Sequence, residues 1–118
     1  MRIPPEWAGE SFCYVTTRGR RTGKPHRIEI WFGLVGDSLY LLAEGRERAD
    51  WIRNMRADPN VSVKVQDVTF EATARFVDNP EQEDAARKVL AAKYQDWTEG
   101  TPMSDWARNA LLVALDPT

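Results

Sequence analysis

Hydrophobic and polar positions alternate along much of this chain, and the alternation predicts strands. Ser11–Thr17 is rich in aromatic and β-branched residues and reads as the first strand. Arg27–Leu34 alternates, with Ile28, Ile30 and Phe32 on one face and Glu29 and Trp31 on the other. Gly36-Asp37 predicts a tight turn into a further strand, Ser38–Ala43. Val61–Val65 and Val68–Val77 alternate again across a turn at Gln66-Asp67. Leu111–Leu115 is a short apolar run that reads as a buried strand.

Elsewhere the period changes. In Arg48–Ala57, Ala49, Ile52 and Met55 recur at helical spacing with Trp51 beside them, and Asp58-Pro59-Asn60 ends the helix. Asn79-Pro80 predicts the cap of a second helix from about Glu81 to Tyr94, whose acidic first turn suits the helix dipole. Ser104-Asp105 predicts a cap for a short helical turn at Trp106. Residues 1–10, broken by Pro4 and Pro5, read as an irregular lead-in. Most connections between strands are too short for parallel crossovers, so the sheet is expected to be mostly antiparallel. The class is α+β, a barrel or strongly curled sheet with helices over its openings, in a single domain spanning 1–118.

Composition narrows the functions. The 118 residues carry 16 basic and 18 acidic side chains, a formal net charge of -2, which argues against nucleic-acid binding as the main role. The single cysteine, Cys13, has no internal partner and is expected in a reducing cytoplasm. No apolar leader begins the chain, and no run approaches the roughly 20 apolar residues of a membrane span. One histidine, His26, and one cysteine make a transition-metal cluster an unfavourable reading. No nucleophile-elbow, metalloprotease, phosphate-loop or dinucleotide fingerprint is present.

Against this background, Arg18–Arg27 stands out. It holds Arg18, Arg20, Arg21, Lys24 and Arg27, punctuated by Gly19, Gly23 and Pro25. A charge run is often only a solvated hairpin tip, and such surface cations contribute little to stability. Glycine shaping favours a second reading, a compact site for phosphate or carboxylate groups, where arginine forks pair two donors with two oxygens. Trp31 is open to two readings, second-face packing or a wall for a flat ligand. Ala43-Glu44-Gly45 is either an ordinary turn or a place where the backbone approaches a ligand. Asn54 is most simply a surface or locally bonded residue. With no nucleophile or metal motif, the residues fit a protein that binds and orients an organic cofactor.

Several segments together resemble one family. They are Thr16-Thr17, Gly19-Arg20-Arg21-Thr22-Gly23-Lys24-Pro25, Ile30-Trp31-Phe32, Leu41-Leu42-Ala43, Trp51–Pro59 with Asn54 inside it, Val61-Ser62-Val63 and Phe70–Arg75. In order and spacing they resemble the deazaflavin-dependent nitroreductases, with a weaker echo in Trp106–Pro117. The resemblance implies a split β-barrel like that of FMN-binding and pyridoxamine-phosphate-oxidase proteins, and coenzyme F-420 as cofactor, with FMN as the alternative. It implies that Arg20, Arg21, Thr22, Gly23 and Lys24 meet the cofactor phosphate and glutamate tail. It further implies that Ile30, Trp31, Ala43, Glu44 and Gly45 line the ring site, and that Trp51 and Asn54 close the groove. Tyr94 is the candidate to orient or protonate a small acceptor such as a quinone, enone or nitroaromatic. A non-catalytic F-420 or flavin carrier is the other function compatible with these residues, and so is a homodimer. The chain departs from the family at Glu29, in place of a proline, at His26, in place of an arginine, and in a shorter loop over Glu44–Asp50.

Overall fold

Alternation in the sequence becomes burial on one face of a curled sheet. The computed structural model describes residues 1–118 and has seven strands: β1 (Cys13–Arg18), β2 (Pro25–Ile30), β3 (Gly33–Val35), β4 (Ser38–Ala43), β5 (Asn60–Val65), β6 (Val68–Phe76) and β7 (Leu111–Pro117). All pairings are antiparallel, and the order across the sheet is β2-β1-β5-β6-β7-β4-β3. Val15, Val63, Phe70, Leu41 and Leu115 come from five strands into one core. Helix α1 (Asp50–Ala57) adds Ile52 and Met55 to it. Burying a side chain such as Ile52 is worth about 1.5–3 kcal/mol, so this face helps to hold α1 to the sheet.

The apolar runs of β4 and β7 have a second reason. Leu39, Leu41 and Ala43 face the main core, while Tyr40 and Leu42 face a smaller one on the opposite side. That second core is closed by Ala86 and Leu90 of α2 (Pro80–Gln95) and by Ala110, which follows α3 (Asp105–Asn109). Both helices begin as the sequence predicts. The Asn79 side chain accepts from the N–H groups of Glu81 and Gln82, and Ser104 accepts from Ala107 N–H.

Two expectations need correction. Arg27–Leu34 is not one strand: β2 ends at Ile30 and β3 starts at Gly33, and these two strands lie at opposite edges of the sheet. The backbone leaves the ladder at Phe32, whose N–H donates to the Tyr94 hydroxyl (3.1 Å) and whose carbonyl accepts from Lys93 Nζ (2.8 Å). Side chains of α2 replace the lost ladder bonds there, which no local pattern in β2 reveals. The lead-in is not wholly irregular either. Pro5–Gly9 forms a 3-10 turn that buries Trp7 against Phe70, with ring centroids 5.7 Å apart.

Candidate functional site

The basic loop joins β1 to β2 and closes on itself. Gly19 N–H donates to the Lys24 carbonyl and Gly23 N–H to the Gly19 carbonyl, both at 2.8 Å. A Cβ on Gly19 would lie 2.9 Å from that Lys24 oxygen and 3.0 Å from the His26 ring, so only glycine fits. Gly23 sits at φ +74°, which also favours glycine.

The loop is anchored from beneath. Asn54 of α1 is 1% exposed, and its Oδ1 accepts from the Arg20 backbone N–H (3.2 Å) and from Arg20 Nη1 (2.9 Å). Its Nδ2 donates to the buried Thr17 hydroxyl at 3.0 Å. Arg20 Nη2 reaches Asp50 Oδ1 at 3.2 Å. The bland reading of Asn54 as a surface residue is therefore corrected. It lies under the loop, with its amide committed to holding Arg20 and Thr17. Arg20 is correspondingly part of the scaffold as well as a cation, so it is not a disposable surface charge.

A hollow of about 480 Å³ is lined by Arg18, Gly19, Arg20, Arg21, Thr22, Gly23, Ala57 and Asp58. Arg18 and Arg21 make no ion pair, leaving both guanidiniums available to an anion. Asp58 is partly engaged, since its Oδ1 accepts from Asn60 N–H. Lys24 belongs to the loop but does not line the hollow, and Arg27 instead covers the Tyr14 ring at 3.8 Å.

A second cleft, of about 550 Å³, opens where β2, β4, α1, α2 and α3 meet. Its walls include Ile30, Trp31, Leu42, Gly45, Trp51 and Trp106, with Glu29, Glu44 and Gln95 completing the lining. Trp31 is 45% exposed and lies flat against Tyr94, at 4.4 Å between centroids and 2° between planes. Trp106 meets Trp31 edge-on at 5.5 Å. Such contacts fix ring orientation beyond simple area burial. The Tyr94 hydroxyl donates to the Ser11 carbonyl at 2.7 Å and accepts from Phe32 N–H. Burial pushes that phenol up to about 12, against the opposing effect of the Phe32 backbone bond. Behind this stack, Lys93 lies over the Phe32 ring at 4.0 Å. Burial lowers the Lys93 pKa, while Cys13 and Glu10 act to raise it.

The candidate residues thus gather at two places. Ile30, Trp31, Glu44, Gly45 and Trp51 share the cleft, and Arg20, Arg21, Thr22 and Gly23 share the hollow. Ala43 is the exception among the ring candidates: it is 2% exposed and packs in the main core, while its neighbours reach the cleft. Tyr94 stands behind Trp31 rather than in the lining. Glu29, Leu42, Gln95 and Trp106 also line the cleft; the first, second and fourth stand in or beside resemblance segments without having been read as site residues, and no motif marks Gln95. Helix α1 joins the two places, with Trp51 in the cleft and Ala57 in the hollow. At about 1.5 Å of rise per residue those positions are roughly 9 Å apart along the helix axis. A molecule with a flat apolar end and an anionic end fits this arrangement.

The family model of the F-420H(2)-dependent quinone reductases matches residues 2–104. The chain belongs to that family. This family's name specifies reduction with coenzyme F-420. Solved structures share the fold of this family member. A conserved hypothetical protein from Mycobacterium tuberculosis is 22% identical, with a TM-score of 0.77 over 98% of this chain and 79% of that one. An F-420-H2 dependent reductase is 21% identical, with a TM-score of 0.70 over 91% and 95% of the two chains. A structure described as a putative pyridoxamine 5'-phosphate oxidase from Listeria innocua is 15% identical, with a TM-score of 0.67 over 94% and 86%. The architecture of this quinone-reductase family member is accordingly the split barrel. No helix in it is long and apolar enough to cross a membrane.

Proposed function

We propose that this protein is an oxidoreductase that uses reduced coenzyme F-420 to reduce a small conjugated acceptor of the quinone, enone or nitroaromatic class. One observation carries the reading: a single helix, α1, links a cation-lined hollow to an aromatic cleft. Bound here, the reduced cofactor would supply a hydride to the quinone and release one proton as it is oxidised, while the quinone would gain the hydride and one proton from solvent to become the hydroquinone. Arg18, Arg20 and Arg21 hold the phosphate and acidic tail by charge-assisted bonds. Trp31, Ile30, Trp51 and the Glu44-Gly45 backbone orient the ring and its acceptor, and positioning of this kind supplies several kcal/mol of barrier reduction, of order 7 or more in the best cases. Tyr94 acts as a positioning residue, keeping Trp31 in one orientation through its stack. Lys24 adds long-range attraction from the edge of the loop.

A titration tests this reading. F-420, a truncated form without its glutamates, and FMN are added to the apo protein, and cofactor turnover is then followed with an added quinone. Tightest binding of intact F-420, together with quinone-dependent oxidation of its reduced form, supports the proposal. Tighter FMN binding, or no effect of removing the glutamates, overturns the tail assignment. Binding of F-420 without turnover of any acceptor favours a carrier.

A further inference from the structure

The two ends of the groove carry opposite charge. The hollow is lined by three arginines and one carboxylate, Asp58, whereas the cleft is lined by two carboxylates, Glu29 and Glu44, and by no lysine, arginine or histidine. Neither carboxylate makes an ion pair. Arg46 and Lys93 are engaged elsewhere. Arg46, next to Gly45, donates to the Asn109 carbonyl and pairs with Glu47 at 3.8 Å. Lys93 donates to the Phe32 carbonyl at 2.8 Å, on the far side of the Trp31–Tyr94 stack. Three of the five tryptophans, Trp31, Trp51 and Trp106, supply apolar walls around the two acids.

We infer that the cleft selects planar acceptors by charge, admitting uncharged and cationic ones and turning away anionic ones, with Glu29 and Glu44 as the specificity-determining residues. The inference rests on the proposed acceptor-reducing function of the same cleft. Its physical basis is simple repulsion. A sulfonate or carboxylate on the acceptor meets two unpaired carboxylates, both solvent-exposed, so the repulsion acts at close range and weakens as salt is added. A cationic substituent meets the reverse. The lack of a cation has a second effect: negative charge arriving with the hydride must be spread by the acceptor itself, which quinones do well. The separation of charge also orients the cofactor, since its acidic tail is repelled from the cleft and attracted to the hollow.

The test uses three naphthoquinones with an uncharged, a sulfonate or a trimethylammonium substituent at the same position. Binding to the apo protein is read by quenching of tryptophan fluorescence, and turnover with reduced F-420 is measured separately. We expect the sulfonate to bind about five- to tenfold more weakly than the uncharged compound, and the cation at least as tightly as the uncharged one. The same order is expected in kcat/KM. The gap, read as the ratio among the three compounds within each protein, should close at high salt and in the Glu29→Gln/Glu44→Gln double variant. Equal binding of all three to the native protein, or a gap that persists in the double variant, overturns the inference. The expected binding order without turnover of any compound leaves the charge filter standing and overturns the proposed reductase activity instead.

Discussion

Replacing Arg20 and Arg21 one at a time separates scaffold from ligand binding, because these neighbours do different work. Arg20→Ala removes a charge-assisted bond to a buried amide, Nη1 to Asn54 Oδ1 at 2.9 Å, and a pair with the 76% exposed Asp50. The first contributes about 1.5–3 kcal/mol and the second, being solvent-screened, at most about 1. Asn54 Oδ1 keeps one partner, the Arg20 backbone N–H, so the loss stays in the lower half of that sum, about 1.5–2.7 kcal/mol. For a chain of this size that lowers Tm by about 6–12 °C. Arg21 is exposed and unpaired, so Arg21→Ala should leave Tm within about 2 °C of the native protein. Thermal unfolding of the apo protein reads the first difference and cofactor titration the second. Both variants should bind F-420 at least about tenfold more weakly, reflecting one lost charge-assisted bond each. An unchanged Tm in Arg20→Ala would refute the scaffold role drawn from the Asn54 contacts. Unchanged affinity in Arg21→Ala would refute the hollow as the anion site.

Four further outcomes follow from individual contacts. Tyr94→Phe should cost about 1–2 kcal/mol through its lost hydrogen bonds yet retain turnover within a few-fold, since the stack on Trp31 remains; loss of turnover at unchanged affinity would make Tyr94 a proton donor. The same variant tests alkaline stability. The Tyr94 phenol is raised from 10.0 to about 12 by burial, so its stabilising effect is complete below pH 10 and is lost as pH rises through 12. Between these values the native protein should lose stability more steeply than Tyr94→Phe in denaturant titrations. Gly45 has φ -74°, and an added Cβ would only touch Ala49 at 3.5 Å. Gly45→Ala should therefore match or exceed native stability by up to about 1 kcal/mol while lowering turnover, and full activity would move the ring elsewhere. Gly19→Ala should weaken cofactor binding in the titration, because its Cβ would displace the Lys24 carbonyl that closes the loop.

Local chemistry made much of the fold legible. Strand β4 was readable to the residue, and the caps at Asn79 and Ser104 mark the starts of α2 and α3 because their side chains bond the first free amides. The break at Trp31-Phe32 was not readable, because its cause is Tyr94 and Lys93, distant in sequence and close in space. The site divides in the same way. Arg20, Arg21, Trp31, Gly45 and Trp51 stand in recognisable segments. Trp106 and Gln95 enter the cleft only through the packing of α2 and α3 on β4 and β7. Asn54 was visible as a motif residue, but its burial was not, since a polar side chain is expected inside only when its partners are known.

The position of β7 decides how the groove would fail. This strand alone bridges β6 to β4, so without it the sheet divides into a four-stranded part, β2-β1-β5-β6, and the β3–β4 hairpin. An isolated hairpin is marginal in water, whereas four strands with a packed face can persist. Leu42, Glu44 and Gly45, one wall of the cleft, belong to the hairpin side, while the arginine hollow belongs to the four-stranded side and α1. Partial unfolding at β7 would therefore abolish chemistry before it abolished capture of the anionic tail. A worn molecule would become a sink that retains its cofactor and does not turn it over.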